Sequence, residues 1–113
     1  MIQTADVVTA DFPGATGTKR RPAVVVSSRV YHQVRPDVIL GLVTSQLGRP
    51  LEPTDYLLQD WHSAGLHKPS VFRPFLFTLP ASQVTVIGHL STPDWEGVQS
   101  ALKSAVAISQ PSV

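Results

Sequence analysis

The sequence predicts a mainly β (α+β) fold, a small, partly open β-barrel followed by a C-terminal α-helix. Short β-rich runs alternate with turn residues, the ten prolines concentrate in the connections, and one helical pattern stands near the end of the chain. A barrel limits the number of exposed strand edges in such a sheet. The chain has 113 residues, so we expect a single domain over residues 1–108 and a frayed tail over 109–113.

Six segments have the composition of β-strands. The first should end at Pro13-Gly14, a common turn pair, and the run that starts at Pro22 is continuously apolar, as in a buried strand. Pro74 interrupts the fifth segment. Because proline has no N–H for a strand ladder, this segment should bulge or lie at an edge. The predicted strands are 6–12, 22–27, 38–44, 56–58, 70–73 with 75–77, and 84–90.

One helix is indicated after the last strand. Ser91 or Thr92 can cap its N-terminus, and Pro93 suits its first turn. Asp94 and Glu96 favour the positive end of the helix dipole. Apolar residues then recur with helical spacing, which predicts that this face packs against the sheet: Trp95, Val98, Leu102, Ala105 and Val106.

The composition narrows the classes of function. The chain has no cysteine, which excludes disulfides and thiolate metal sites. The segment Met1–Asp6 does not resemble a signal peptide, and no apolar run approaches the ~20 residues of a membrane helix. No metal-binding motif is present, and the segment Gly14–Lys19 lacks the full phosphate-loop pattern. We therefore expect a cytoplasmic protein with no metal, no cofactor and no membrane contact.

Positive charge concentrates in the middle of the chain, although the formal net charge is only +1. Between residues 19 and 73, eight basic residues outnumber four acidic ones. Such a region favours a phosphate-bearing partner, although scattered basic residues are also typical of a solvated surface. The basic residues are Lys19, Arg20, Arg21, Arg29, Arg35, Arg49, Lys68 and Arg73.

The first pattern suited to a phosphodiester is a small, polar loop that enters a basic cluster. The loop begins at Pro13 and Gly14 and leads into Lys19, Arg20 and Arg21. Guanidinium groups bind phosphate oxygens in pairs and stay charged at physiological pH. Arg21 directly precedes the predicted buried strand, so we expect a rigid element to hold it in place.

Two further patterns lie downstream. Thr44, Ser45 and Gln46 follow an apolar strand, and their polar groups should emerge at its end, where they can bind phosphate or cap a turn. Trp61 precedes a basic and polar group of residues and could stack a base, although tryptophan is also commonly a core residue. That group comprises Lys68, Ser70 and Arg73.

Several short segments, each a weak signal alone, form a specific pattern when they are taken together in chain order. They are Asp6–Val8 with Asp11–Pro13, Gly17–Ser27, Val43–Gln46, Asp60–Trp61 with Ala64–Leu66 and Lys68–Ser70, and Ile87–Ser91. In this order they resemble the MazF/PemK family of toxins from type II toxin–antitoxin systems, over nearly the whole chain. The resemblance implies an SH3-like barrel, a homodimer, and an endoribonuclease (mRNA interferase) that cleaves single-stranded RNA at short sequences.

The resemblance also implies roles for individual residues. Arg21 takes the place of the family's catalytic arginine, and Thr44 takes the place of its catalytic threonine. The other expected RNA contacts are Pro13, Gly14, Lys19, Arg20, Ser45, Gln46, Lys68, Ser70 and Arg73. The chain departs from the pattern at Ala5, where many relatives have glycine, and at Pro74-Phe75, where many have a more polar stretch.

The expected reaction is attack of the RNA 2′-OH on the adjacent phosphate, which needs no metal. Arg21 would stabilise the charge of the transition state, and Thr44 would hydrogen-bond a non-bridging oxygen. His62 or His67 could serve as general acid or base. The products would be a 2′,3′-cyclic phosphate and a 5′-hydroxyl.

The expected partners follow from charge and from the resemblance. They are single-stranded RNA (mRNA), a second copy of the chain, and a cognate antitoxin whose acidic disordered tail covers the basic groove. Contact with DNA would occur only through the antitoxin. Two alternatives remain open at this point, because fold alone does not settle function. The chain could be a non-catalytic RNA- or antitoxin-binding module, or an inactive toxin relative that keeps only the antitoxin interface.

Overall fold

The computed structural model describes residues 1–14, 17–47 and 50–108. The strands are β1 (Asp6–Gly14), β2 (Gly17–Val25), β3 (Asp37–Thr44), β4 (Tyr56–Leu57), β5 (Val71–Pro80) and β6 (Thr85–His89). Helix α1 (Arg29–Val34) lies between β2 and β3, a short 3₁₀ turn (Ala81–Gln83) precedes β6, and helix α2 (Thr92–Ala105) ends the fold. The expected tail over 109–113 lies outside the described residues.

All the strands belong to one antiparallel sheet with the order β4-β5-β3-β2-β1-β6. The sheet curls, because the loop that follows β4 reaches β6 at the opposite edge. A Cβ on Gly65 would collide with the carbonyl of Ile87, and a Cβ on Gly88 would collide with the carbonyl of Ala64. Two glycines thus let the loop and β6 approach closely, and the predicted mainly β, partly open barrel with a C-terminal helix is confirmed.

Apolar side chains are buried on both faces of the sheet, because successive strand residues point to opposite faces. Val7 and Val24 belong to a core that includes α2, whereas Val8, Ala23 and Val25 belong to a core on the other face. On that second face, Phe12 packs edge-on against Phe77, with the ring centroids 4.6 Å apart. Both cores hold the central strands β1, β2 and β3 rigidly.

The β1–β2 hairpin is longer than predicted. The prediction that β1 ends at the Pro13-Gly14 turn is wrong, because these residues pair with Thr18 and Gly17 as part of the strand. Residues 15 and 16 of the predicted loop lie outside the described residues. Lys19, Arg20 and Arg21 lie within β2 instead of a loop, since β1 supplies a ladder partner for each of them.

The interruption at Pro74 is a bulge, as predicted. Leu42 pairs with Arg73 while Gly41 pairs with Leu76, so Pro74 and Phe75 are extra residues on the β5 side of the ladder. On its other side, β5 pairs with β4 only at Val71 and Phe72. Proline is tolerated here because neither strand ladder requires a backbone N–H donor at this position.

Helix α2 follows its predicted start. Ser91 is the N-cap, and its side chain accepts a hydrogen bond from the backbone N–H of Asp94 at 3.3 Å. Trp95, Val98 and Leu102 pack in the core on the α2 side of the sheet, as expected. Ala105 and Val106, predicted on the same packed face, are exposed because they lie at the end of the helix.

Helix α1 has no counterpart in the prediction. It has six residues and none of them is buried, so it carries no periodic apolar pattern. Its signals are local: Ser28 caps it by accepting from the N–H of Tyr31 at 3.2 Å, and Pro36 follows it.

Candidate functional site

A groove of about 390 Å³ lies between β2, the end of β3 and the loop before β5. Its floor includes Thr9 and the apolar residues Pro22 and Val43, on the face of the sheet that α2 covers. Its rim is polar and comes from two sides. The strand side consists of Arg20, Arg21, Thr44, Ser45 and Gln46, and the loop side includes His67, Lys68 and Ser70.

Arg21 and Thr44 face each other across neighbouring strands. The β2–β3 ladder pairs Ala23 with Leu42, and extending this antiparallel register by two residues places Arg21 opposite Thr44. Both residues line the groove. Arg21 is half-buried, and its side chain makes no hydrogen bond or ion pair to the described residues. A guanidinium with its donors available is well suited to bind an anion.

The side chain of Thr44 serves the capping role that was left open as an alternative to phosphate binding. Its Oγ1 accepts a hydrogen bond from the backbone N–H of Gln46 at 3.2 Å. This bond uses a lone pair and leaves the hydroxyl hydrogen as a donor into the groove. Turn capping and contact with a ligand oxygen are therefore compatible.

Arg20 lies on the rim of the groove but is already engaged. Its guanidinium donates to Asp11 Oδ1 at 3.2 Å and to Thr85 Oγ1 at 2.8 Å. The side chains of Arg20 and Asp11 are 47% and 61% exposed, so this ion pair is solvated and weak. Arg20 can therefore contribute charge at the rim without leaving its partners.

Lys19 does not line the groove. It is exposed and pairs in register with Phe12, farther along the hairpin than Arg20 and Arg21. Pro13 and Gly14 belong to β1, where they pair with Thr18 and Gly17.

The loop side of the groove is held by backbone hydrogen bonds. The hydroxyl of Ser70 is buried and donates to the carbonyl of Lys68 at 2.8 Å, so it shapes the loop. The carbonyl of Ser70 accepts from the N–H of Leu58 at 3.0 Å. Lys68 itself is exposed, and its ammonium is available to a ligand in the groove.

The structure does not bring Arg73 to the groove. Its guanidinium lies 3.6 Å from the carboxylate of Asp55, and the two side chains are only 19% and 4% exposed. The β5 register places Arg73 beside Leu42, two positions from the strand end where Thr44 lies. The spacing in the sequence could not distinguish this internal ion pair from a groove contact.

The two candidate histidines lie in different places. His67 lines the groove, whereas the ring of His62 packs edge-on against Trp61, with the centroids 5.8 Å apart. Trp61 is partly buried against the core on the α2 side, which is the core role that was weighed against base stacking.

The groove is electropositive. Arg20, Arg21 and Lys68 line it, and no carboxylate is among the described residues of its wall. Within the described ranges, no group of three or more His, Asp or Glu side chains could hold a metal ion. An oxyanion ligand matches this lining better than a cation.

Asp94 is an important residue that the sequence assigned only to the helix dipole. Its side chain is fully buried and accepts from the hydroxyl of Tyr56 at 2.7 Å and from the N–H groups of Gln59 and Asp60 at 2.9 and 2.8 Å. Burial, together with the bond to Asp94, raises the pKa of Tyr56 to about 12. A buried carboxylate shows no distinct pattern in the sequence, because its partners lie more than thirty residues away.

A family model described as PemK-like, MazF-like toxin of type II toxin-antitoxin system matches residues 3–106. The chain belongs to this family. A search of functionally curated proteins returned no match. None of the described helices is long and apolar enough to cross a membrane.

Solved structures of PemK-like, MazF-like toxins share this fold. An endoribonuclease in complex with its cognate antitoxin, from a Mycobacterial species, has a TM-score of 0.77 at 18% identity, covering 98% of this chain and 100% of that one. The Mycobacterium tuberculosis toxin MazF-mt6 has a TM-score of 0.72 at 22% identity, covering 88% and 94%. A MazE-MazF structure from Deinococcus radiodurans has a TM-score of 0.71 at 20% identity, covering 96% and 97%.

Proposed function

We propose that the chain is a metal-independent, sequence-selective endoribonuclease that cleaves single-stranded RNA in this groove. The observation that carries the proposal is the placement of Arg21 opposite Thr44 at the rim of an electropositive groove. Membership of the PemK-like, MazF-like toxin family supports it, and some similar structures are named as endoribonucleases. Of the residues expected to bind RNA, those that line the groove are Arg20, Arg21, Thr44, Ser45, Gln46, Lys68 and Ser70.

RNA supplies its own nucleophile. The 2′-oxygen forms a bond to the adjacent phosphorus while the bond from phosphorus to the 5′-oxygen breaks. A general base takes the 2′-OH proton, and a general acid protonates the leaving 5′-oxygen. The products are a 2′,3′-cyclic phosphate and a 5′-hydroxyl, and the reaction requires no metal.

The groove residues match these needs. The guanidinium of Arg21 can donate to two phosphate oxygens and stabilise the negative charge that grows on them in the transition state. The hydroxyl of Thr44 can donate to a non-bridging oxygen, since its lone pair, not its hydrogen, serves Gln46. Of the two histidines considered, His67 is the one that lines the groove and is our candidate for proton transfer.

The test is to treat a long single-stranded RNA with the protein in EDTA and to sequence the cleaved ends. We expect defined cleavage sites with 5′-hydroxyl ends. Arg21→Ala should lower kcat/KM by about 10²- to 10³-fold, whereas Lys103→Ala, on an exposed position of α2, should not change it. A requirement for Mg²⁺, or near-normal activity of Arg21→Ala, would refute the proposed chemistry. Binding without cleavage would support a non-catalytic module instead.

We also propose a cognate antitoxin as the protein partner, with an acidic disordered segment that lies along the groove and excludes RNA. Charge complementarity with Arg20, Arg21 and Lys68 supports this. Two of the similar structures are toxin–antitoxin complexes. The product of the adjacent gene should compete with RNA for the protein, and contact with DNA would occur only through that partner. Undiminished RNA cleavage at saturating antitoxin would contradict this.

Finally, we propose that the protein forms a homodimer. Phe75 and Leu76 are 64% and 42% exposed, and they lie on the stretch of β5 that β4 does not cover. Exposed apolar residues on a strand edge favour association. Sedimentation equilibrium should show a dimer that Phe75→Asp weakens. A wild-type monomer at tens of micromolar would contradict the proposal.

A further inference from the structure

The loop side of the groove is connected to helix α2 by one buried carboxylate. Asp94 is 0% exposed, and its two oxygens accept from Tyr56 Oη, from Gln59 N and from Asp60 N at 2.7–2.9 Å. An ionised carboxylate is costly to bury unless its oxygens are hydrogen-bonded. The segment 56–60 therefore has a strong preference for this one position against the helix.

The ring of Tyr56 fixes the same segment by contact. A Cβ on Gly97 would collide with that ring, so the ring lies directly against the backbone of α2. The absent side chain at Gly97 leaves the space, and the hydroxyl of Tyr56 reaches Asp94 from there. Helix α2 and the start of the loop thus form one rigid unit.

The loop that lines the groove is built on that unit. The carbonyl of Asp60 accepts from the N–H of Ala64 at 3.2 Å, and the carbonyl of Trp61 accepts from the N–H of Leu66 at 3.1 Å. The chain then runs directly to His67 and Lys68 on the rim. A shift of the backbone at 59–60 would consequently move the cation that completes the groove.

We infer that Asp94 is a positioning residue, which holds Lys68 in place for RNA by way of Tyr56 and the backbone of Gln59 and Asp60. The inference deepens the proposed function and rests on it for the identity of the ligand. Asp94 is fully buried and lies outside the groove lining, so it is not placed to touch RNA in the groove. Its effect should therefore pass through Lys68 and be absent when Lys68 is absent.

The test is a double-mutant cycle on RNA affinity. The probe is a single-stranded oligonucleotide with 2′-O-methyl groups throughout, which binds but has no 2′-OH to attack with. Tyr56→Phe removes one hydrogen bond and should raise Kd about three- to tenfold. It should also lower the slope of log Kd against log salt by about 0.7, the contribution of one phosphate contact on a single strand. Lys68→Ala should do the same, and adding Tyr56→Phe to Lys68→Ala should have no further effect.

Val98→Ala is the matched control, because Val98 is a fully buried residue of α2 that makes no polar contact with the loop. It should lower stability and leave both Kd and the salt slope unchanged at a temperature where the protein is folded. Asp94→Asn, where it folds, should change Kd and the salt slope in the same direction as Tyr56→Phe and by a larger amount. Additive effects of Tyr56→Phe and Lys68→Ala, or a wild-type Kd and slope in Tyr56→Phe, would overturn the inference.

A second measurement separates this inference from the proposed function. Amide hydrogen exchange over residues 61–68 should be faster in Tyr56→Phe than in Val98→Ala at equal global stability. If the wild-type protein binds no RNA, the proposed function fails. The hydrogen-exchange comparison still tests whether Asp94 positions the loop. If exchange over 61–68 is the same in both variants, Asp94 does not position the loop and the inference fails.

Discussion

Arg21 and Arg73 were both expected to bind RNA, but the fold gives them different neighbours. Arg21 lies at the rim of the groove with no described partner, whereas Arg73 is paired with Asp55 in a largely buried position. Asp55 also accepts from the N–H of Glu52 at 3.0 Å. Arg73 therefore helps to hold the turn before β4.

Replacing Arg73 should thus reduce stability and leave RNA binding intact. Arg73→Ala leaves the carboxylate of Asp55 buried with only its backbone partner, which should cost about 1–3 kcal/mol of unfolding free energy. Urea unfolding measures this cost, and Kd for the 2′-O-methyl oligonucleotide should stay within twofold of wild type. A lower salt slope in this variant would instead restore Arg73 as an RNA contact.

Ala5 has a backbone conformation that favours glycine. Its φ is 72°, in the left-handed region. Ala5 is also 4% exposed within the core, so its methyl group contributes burial. The left-handed conformation costs a non-glycine residue about 1–2 kcal/mol, and burial of one methyl returns about 0.8 kcal/mol.

Glycine should therefore be tolerated at this position far better than at an ordinary buried alanine. Ala5→Gly should destabilise the protein by about 1–2 kcal/mol less than Ala10→Gly, because only Ala5 is relieved of left-handed strain. Ala10 is 0% exposed in β1 and is the matched control. Equal losses in thermal or urea unfolding would show that the strain at Ala5 is negligible.

At the scale of elements, the sequence was most informative where a pattern depends on burial. The apolar runs located β3 and β6 to within one residue at each boundary, and Ser91 marked the start of α2. The start of β2 was misplaced by five residues, at 22 instead of 17, because its exposed basic half looks like a loop when its ladder partner is unknown. The short helix α1 was missed because it buries nothing.

The same limit applies to the candidate site. Arg21, Thr44 and Lys68 were predicted as candidates because each belongs to a local motif, and the structure brings them to one groove. The hydrogen bonds to Asp94 were not predicted, since they join residues from segments far apart in the chain. Local chemistry can be predicted from neighbours in sequence, whereas contacts through the core depend on the completed fold.

The tie between Tyr56 and α2 should appear in the alkaline stability of the protein. The pKa of Tyr56 is raised to about 12 from its ordinary value of 10.0, so the folded state favours the protonated phenol. Its stabilisation is fully present below the unfolded pKa and is lost as pH rises towards the folded one. The unfolding free energy of wild type should therefore fall relative to Tyr56→Phe between about pH 10 and 12.

Both proteins are compared by urea unfolding at pH 9 and at pH 11.5. Tyr31, the only other tyrosine, is present in both and cancels in the difference, although its pKa is also raised, chiefly by its bond to Asp37. A constant gap between wild type and Tyr56→Phe across this range would show that Tyr56 is not held in its protonated form.

The closure of the sheet between loop and β6 depends on Gly65. Its φ is +89°, and an added Cβ would meet the backbone carbonyl of Ile87. Gly65→Ala should therefore cost more than about 2 kcal/mol, since strain and a backbone collision both apply. Gly17→Ala is the control. Gly17 has a φ of +118°, and none of the described residues lies within 4 Å of the added Cβ, so it should show the strain alone. Equal losses in unfolding free energy would mean that the backbone of β6 can shift to accommodate the added Cβ at little cost.

At the scale of the whole molecule, the fold separates stability from the proposed chemistry. Two cores lie on opposite faces of one sheet, and no buried residue of the second core, which includes Leu40, lines the groove. The groove lies at the strand ends, where polar side chains reach solvent. The formal net charge of the whole chain is only +1, but the cations Arg20, Arg21 and Lys68 lie together at the rim.

This distribution makes the salt dependence of RNA binding a test of local against overall charge. If the three rim cations each displace a counterion from a single strand, log K should fall with log salt with a slope of about −2, since each phosphate contact contributes about 0.7. If the net charge alone attracted RNA, the slope would be shallower than about −1. Titration of the 2′-O-methyl oligonucleotide at salt concentrations from about 50 to about 300 mM distinguishes local from overall charge. Arg21→Ala and Lys68→Ala should each bring the slope closer to zero, whereas Lys103→Ala changes the net charge equally and should leave it unaltered, because Lys103 lies near the end of α2 and does not line the groove.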